Sequence, residues 1–138
     1  MQSLDRFLKA QASSYDAALR EICTGRKRSH WIWYIFPQIQ GLGFSSTAQY
    51  YAIADMEEAK AYLSEPTLRA RLLEISEALL TLDSNDPTQV MGYPDDLKLR
   101  SSMTLFAEAE PECEVFQKVL DKYYGGSKDE HTLAILNR

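Results

Sequence analysis

Three cations, an imidazole and both tryptophans of the chain fall within the run Gly25-Arg26-Lys27-Arg28-Ser29-His30-Trp31-Ile32-Trp33. Arginine presents a planar fork of donors that grips phosphate or carboxylate in a bidentate manner, and an indole presents a face on which a ring or a cation can stack. Arg26, Arg28, His30, Trp31 and Trp33 therefore have the chemistry to hold a small anionic ligand that carries a ring. The same residue types also fit a plainer role, with the aromatics as core anchors and the cations as a solvated loop. Both readings place the segment where core meets surface.

A second run, Asp95-Asp96-Leu97-Lys98-Leu99-Arg100-Ser101-Ser102-Met103-Thr104-Leu105-Phe106, sets donors near an expected helix start, where the helix dipole favours negative charge. Lys98, Arg100, Ser101 and Ser102 are the candidate anion contacts here, and Asp95 and Asp96 the candidate carboxylates. Helical spacing puts Leu99, Ser102, Met103 and Phe106 on one face, so the Ser102 hydroxyl falls in an apolar stripe and requires a partner. The structural alternative is an exposed Asp96–Arg100 pair one turn apart, with serine bonding back to the carbonyl four residues earlier.

Other chemistries find less support. Ser29 and His30 are adjacent and cannot form a catalytic pair, and no Gly-x-Ser-x-Gly elbow is present. Cys23 and Cys113 sit in or beside amphipathic helical patterns, as buried, inert thiols do. Two cysteines and two histidines without ligand spacing argue against a zinc site. No phosphate loop or dinucleotide fingerprint implies a cofactor, and Gly41-Leu42-Gly43 alone is a weak signal.

The elements that must position these residues read as helices. Ser3 is an expected N-cap for a stripe of Leu4, Phe7, Leu8, Tyr15, Ala18, Leu19 and Ile22 that Gly25 ends. Trp31 to Phe36 is apolar at every position, so periodicity cannot separate strand from helix, and Pro37 closes it either way. Ser46 or Thr47 can cap a short helix through Tyr50 and Tyr51, and Asp55 with Glu58 forms a capping box for the next. Pro66 then opens a helix with Leu68, Leu72, Ile75, Leu79 and Leu82 on one face. Further helices are expected from Asp86-Pro87 to Gly92, from Pro94-Asp95 to Ala109, from Glu112 to Tyr124 with a stop at Gly125, and from a cap at Asp129 to Leu136.

The chain has 138 residues, 45% hydrophobic and 25% charged, which suits one soluble domain with its own core. A net charge of -5 disfavours nucleic acid, whose binding depends on a broad basic face. The N-terminal residues lack the pattern of a secretion signal, and no apolar run approaches the ~20 residues of a membrane span, so a cytoplasmic protein with free thiols is expected. The oligomeric state stays open.

Leu4-Asp5-Arg6-Phe7 with Gln11 and Tyr15, the Gly25 to Gln38 segment, and the Asp95 to Phe106 segment resemble an uncharacterised family of small bacterial and fungal proteins, some of which carry the label calpastatin in error. The resemblance spans nearly the whole chain and implies a mainly α-helical single domain, without an activity. Ser46 to Tyr51, Glu58-Ala59-Lys60, Leu68 to Leu73, Met91-Gly92 and Lys98 to Met103 are also similar, more distantly, to the NADAR superfamily. Members of that group are implicated in cleaving N-glycosidic bonds of ribosylated or ribose-phosphate compounds. Where their tyrosine-containing motif carries a glutamate and a histidine, this chain has Ala48 and Gln49. The resemblance therefore implies either another carboxylate, Asp95 or Asp96, or binding without cleavage.

The expectation is a mainly α, compact single domain over residues 1–138, built of about seven or eight short helices. Its leading function is a pocket for a phosphorylated nucleoside or ADP-ribose-like ligand, with hydrolysis of the C–N bond as an open extension. Arg26, Arg28, Lys98 and Arg100 would hold phosphate, Trp31, Trp33 or Tyr50 would stack on a ring, and Asp95 or Asp96 would stabilise a cationic sugar. The alternative is a protein-docking module that presents an exposed tryptophan among arginines. The pocket reading depends on the two segments lining one hollow.

Overall fold

In the computed structural model, which describes residues 3–138, the chain is mainly helical, with nine helices among the described residues. They are α1 (Asp5–Cys23), α2 (Ile32–Ile35), α3 (Ser46–Tyr50), α4 (Met56–Ser64), α5 (Pro66–Leu80), α6 (Pro87–Met91), α7 (Asp95–Ala109), α8 (Val115–Tyr124) and α9 (Glu130–Leu136). The sole β element among the described residues is an isolated bridge between Ile39 and Ile53. The undecided apolar block is thus a single helical turn, α2, with Trp31, Ile32, Ile35 and Phe36 buried.

Most boundaries follow from local chemistry. Asp55, Asp86 and Asp129 each accept a backbone N–H of the following first turn, which satisfies donors that a helix start leaves free. Glu65 does the same for α5, ahead of Pro66 at its first position. The cap of α3 is Ser45 rather than Ser46 or Thr47, and Leu4, with no side-chain bond, precedes α1 while the Ser3 hydroxyl accepts from the Asp5 N–H. The last helix but one starts at Val115 rather than Glu112, after a turn through Pro111.

α7 is the centre of the molecule and packs against α2, α4, α6, α8 and α9. Its sequence shows one apolar face, yet every residue from Ser101 to Ala107 is buried. Hydroxyl side chains make this tolerable: Ser101 donates to the Leu97 carbonyl at 3.2 Å and Thr104 to the Arg100 carbonyl at 2.8 Å. The Ser102 hydroxyl is fully buried and finds no partner. Around α7, the stripes of α1, α5 and α8 close one continuous core that includes Phe7, Leu72, Phe106 and Phe116.

A buried charge ties α1 to α4. The Arg6 guanidinium donates to Glu58 Oε1 at 3.1 Å and Oε2 at 3.4 Å, and to the carbonyls of Ser3, Tyr50 and Ala52. It also lies 4.3 Å from the centre of the Phe7 ring. Removing one partner strands a charge in a dry site, which costs several times what the intact pair contributes. Arg6→Ala or Glu58→Ala is expected to lower stability to urea by about 3–5 kcal/mol. The paired Arg6→Met/Glu58→Leu variant should lose clearly less; an equal loss would refute the stranded-charge explanation.

Candidate functional site

The Arg26 to Trp31 segment is held by one carboxylate. α1 ends where Gly25 adopts φ +88° and the N–H groups of Gly25 and Arg26 return to the carbonyls of Ile22 and Glu21. The chain then folds back over Glu21. Glu21 Oε1 accepts from the backbone N–H of Arg28 at 2.6 Å and of Ser29 at 2.9 Å, and from the Trp31 indole N–H at 3.0 Å. Its Oε2 accepts the Ser29 hydroxyl at 2.7 Å. Partial burial acts to raise the Glu21 pKa, but these four donors, the Ser29 hydroxyl foremost, outweigh it and hold the group at about 2 rather than 4.5.

The two segments singled out in the sequence meet. Lys27 Nζ lies 2.8 Å from Asp95 Oδ2, Lys98 Nζ lies 3.6 Å from Asp95 Oδ1, and the Lys27 side chain is only 6% exposed. Lys27 also sits over the Trp31 ring and Lys98 over the Trp33 ring, at 5.0 and 5.4 Å from the centroids. Lys27 donates in addition to the Ser29 carbonyl, and its backbone N–H donates to the Val90 carbonyl at 2.7 Å.

Their charged ends nevertheless open onto two clefts, so the single hollow expected from the sequence is not formed: Lys27 lines the first and Lys98 the second, with Asp95 pairing to both. The first cleft, about 610 Å³, lies between the Thr24 to Arg28 turn and the Thr88 to Gly92 end of α6. The second, about 590 Å³, runs between the Leu42 to Ala48 loop and the start of α7, with Lys98, Arg100, Ser101, Asp129 and His131 in its wall. A narrow pit shares Gln38, Gly43 and Ala48 with this second cleft and reaches Trp33. Gly43 allows the loop to approach α3 this closely, since a Cβ there would stand 2.6 Å from that of Ala48.

Each expected site residue has a definite place. Arg26 and Arg28 are exposed on the first cleft, and no ion pair or side-chain hydrogen bond engages either guanidinium among the described residues. Trp31 is 1% exposed with its N–H held by Glu21, so it anchors the core and cannot stack on a ligand. Trp33 is half-buried, which leaves no exposed indole for a docking surface. Tyr50 lies on another face, beside Arg6, and His30 is exposed and lines neither cleft. Arg100 lines the second cleft, but its guanidinium is occupied by the Ser127 carbonyl, the Ser127 hydroxyl and the Lys128 carbonyl. The expected Asp96–Arg100 pair is therefore absent: Asp96 is buried and accepts the Thr88 hydroxyl at 2.6 Å instead. Asp95 is spent on two lysines, and Ser102 reaches neither cleft.

Three lining residues carried no functional weight in the sequence. Phe44 is 83% exposed and Leu97 50%, both on the second cleft. Phe44 follows Gly41-Leu42-Gly43, and a phenyl ring in a loop that could have been all polar was the available signal. Asp129 was legible only as a cap, a role it fills through Thr132, while its Oδ2 also accepts the Ser101 hydroxyl at 3.1 Å. No group of three or more His, Cys, Asp or Glu among the described residues converges to hold a metal ion.

The Glu21 clamp has a pH signature. A carboxyl whose folded pKa is depressed contributes stability in full above its unfolded value near 4.5 and loses it as pH falls through about 2. The melting-temperature gap between wild type and Glu21→Gln should be widest near neutrality and close between pH 4.5 and 2. A gap constant over that range would contradict the clamp.

The chain resembles the crystal structure of the conserved hypothetical protein Rv1873 from Mycobacterium tuberculosis, with 45% identity and a TM-score of 0.96 over 98% of this chain and 96% of that one. No curated protein matches it. Residues 1–136 match the family described as protein of unknown function (DUF1810), and the chain belongs to that family.

Proposed function

We propose that this is a cytoplasmic protein that binds a phosphorylated nucleoside or ADP-ribose-like ligand in the second cleft without cleaving it. The observation that carries the reading is the composition of that cleft. Leu42, Phe44, Pro94 and Leu97 offer apolar wall, and Lys98 and His131 offer donors beside it. An open aromatic ring beside cations matches a ligand with a planar ring and an anionic group. Lys98 is positioned for this role, since the Trp33 face and the Asp95 carboxylate fix its ammonium while leaving the side chain 30% exposed.

The distant NADAR resemblance supports the ligand class and argues against hydrolysis. Ala48, which stands where that group carries a glutamate, lines this cleft and has no acid to give. Asp95 and Asp96 are engaged elsewhere. Asp129, the one carboxylate in the wall, holds Ser101 and caps α9. The unpaired thiols of Cys23 and Cys113 suit a reducing compartment.

Titration calorimetry with ADP-ribose tests the reading. Phe44→Ala is expected to weaken binding about tenfold, the lower end of what one base–aromatic stack contributes. Lys98→Ala should weaken it similarly, and no ribose or base should be released on long incubation. No heat at millimolar ligand, or binding by both variants as tight as that of wild type, would refute the site; steady product release would refute binding without cleavage.

A further inference from the structure

The first cleft is chemically unlike the second. Its lining contains three cations, Arg26, Lys27 and Arg28, and no acid, in a chain where acids outnumber bases by 20 to 15. No aromatic ring or large aliphatic side chain lines it; the facing wall is Thr88, Gln89 and Gly92. A ligand seated here has to be polar throughout.

The cations are also sorted. Along Arg26-Lys27-Arg28 the middle residue turns inward and spends its charge on Asp95 at 2.8 Å, while its neighbours stay exposed. Arg26 and Arg28 both line this one cleft, so the two guanidinium groups are offered to the same space. Neither is engaged by a side-chain partner among the described residues, although solvated like charges so close together repel. Their backbone is fixed in advance. The N–H groups of Gly25, Arg26, Lys27, Arg28 and Ser29 all have partners, in Ile22, Glu21 and Val90. The fixed backbone leaves only the side chains to be ordered on binding, and each fork can take one phosphoryl group in a bidentate manner.

We propose that the cleft between the Thr24 to Arg28 turn and α6 is a separate binding site for a compact polyanion of the diphosphate type. It is independent of the ring-binding cleft, with Lys27 lining the one and Lys98 the other.

Inorganic pyrophosphate is the probe, followed by calorimetry at physiological salt with sulfate as the control anion. Pyrophosphate should bind at least tenfold more tightly than sulfate, because only the former has two phosphoryl groups for two forks. Arg26→Ala and Arg28→Ala should each weaken it about tenfold, and the double variant should show no binding. All three remove exposed side chains and should melt within a few degrees of wild type. Phe44→Ala, which impairs the other cleft without touching the Lys27–Asp95–Lys98 bridge, should leave pyrophosphate binding unchanged. As a measurement free of mutation, pyrophosphate should shift the backbone amide resonances of residues 25 to 29 in the wild-type protein. Pyrophosphate binding no tighter than sulfate, binding retained in the double variant, or shifts confined to other residues would each overturn the proposal.

Discussion

The carboxylate of Asp95, placed between the ammonium groups of Lys27 and Lys98, is the constraint on which the functional face depends. Lys27 is nearly closed off from water, and an ammonium in that position is tolerable only with an acid at hand. The pairing draws the turn after α1 against the start of α7. It also places each lysine over an indole, so that both tryptophans serve as platforms for the protein's own cations rather than for a ligand. What remains free for a ligand is decided by this arrangement: Arg26 and Arg28 on one side, Lys98 with its remaining exposure on the other.

The rest of the fold makes that bridge rigid. Glu21 gathers four donors from Arg28, Ser29 and Trp31 and so fixes the turn from below. α7, buried along most of its length, fixes Asp95 and Lys98 from the other side. Asp96, one residue on, turns inward to Thr88 of α6, and its carbonyl accepts the Tyr124 hydroxyl at 2.6 Å, which locks the start of α7 to α6 and α8. Arg6 and Glu58 perform the same service for the loop around Tyr50 to Ala54, since Glu58 Oε1 also accepts the Ala54 N–H at 2.8 Å. Charged groups inside this protein thus act mainly as staples at the ends of helices, where backbone groups lack partners.

The helices were largely legible in the sequence because their signals are local. Caps at Asp55, Asp86 and Asp129, prolines at first positions and glycines at ends each act within a few residues of the boundary they set. The apolar stripes of α1, α5 and α8 correspond to the faces that are buried. The site was legible in part. That the two distant motifs approach each other was a condition of the pocket reading rather than something their composition shows, and which cations would be consumed was not legible either. An aspartate beside a lysine one turn away reads the same whether it faces water or a third charge from another helix. Asp96 illustrates this, since spacing alone pairs it with Arg100, whereas the packing of α6 brings Thr88 closer. Trp31 illustrates the converse, since its composition suits stacking and only the position of Glu21 shows that its N–H and faces are taken. Phe44 comes from the loop before α3, whereas Asp129 and His131 come from the start of α9, and only tertiary packing brings these two stretches to one cleft.

The most direct test of the central claim, that the bridge leaves a ring-and-anion cleft on the Lys98 side, is to map an ADP-ribose titration by amide and aromatic resonances of the wild-type protein. Phe44, Leu97, Lys98, Ser101 and His131 should shift together and saturate with one affinity, while Trp31 stays still. Saturable shifts that spare these residues, or no saturable shift at any site, would contradict it.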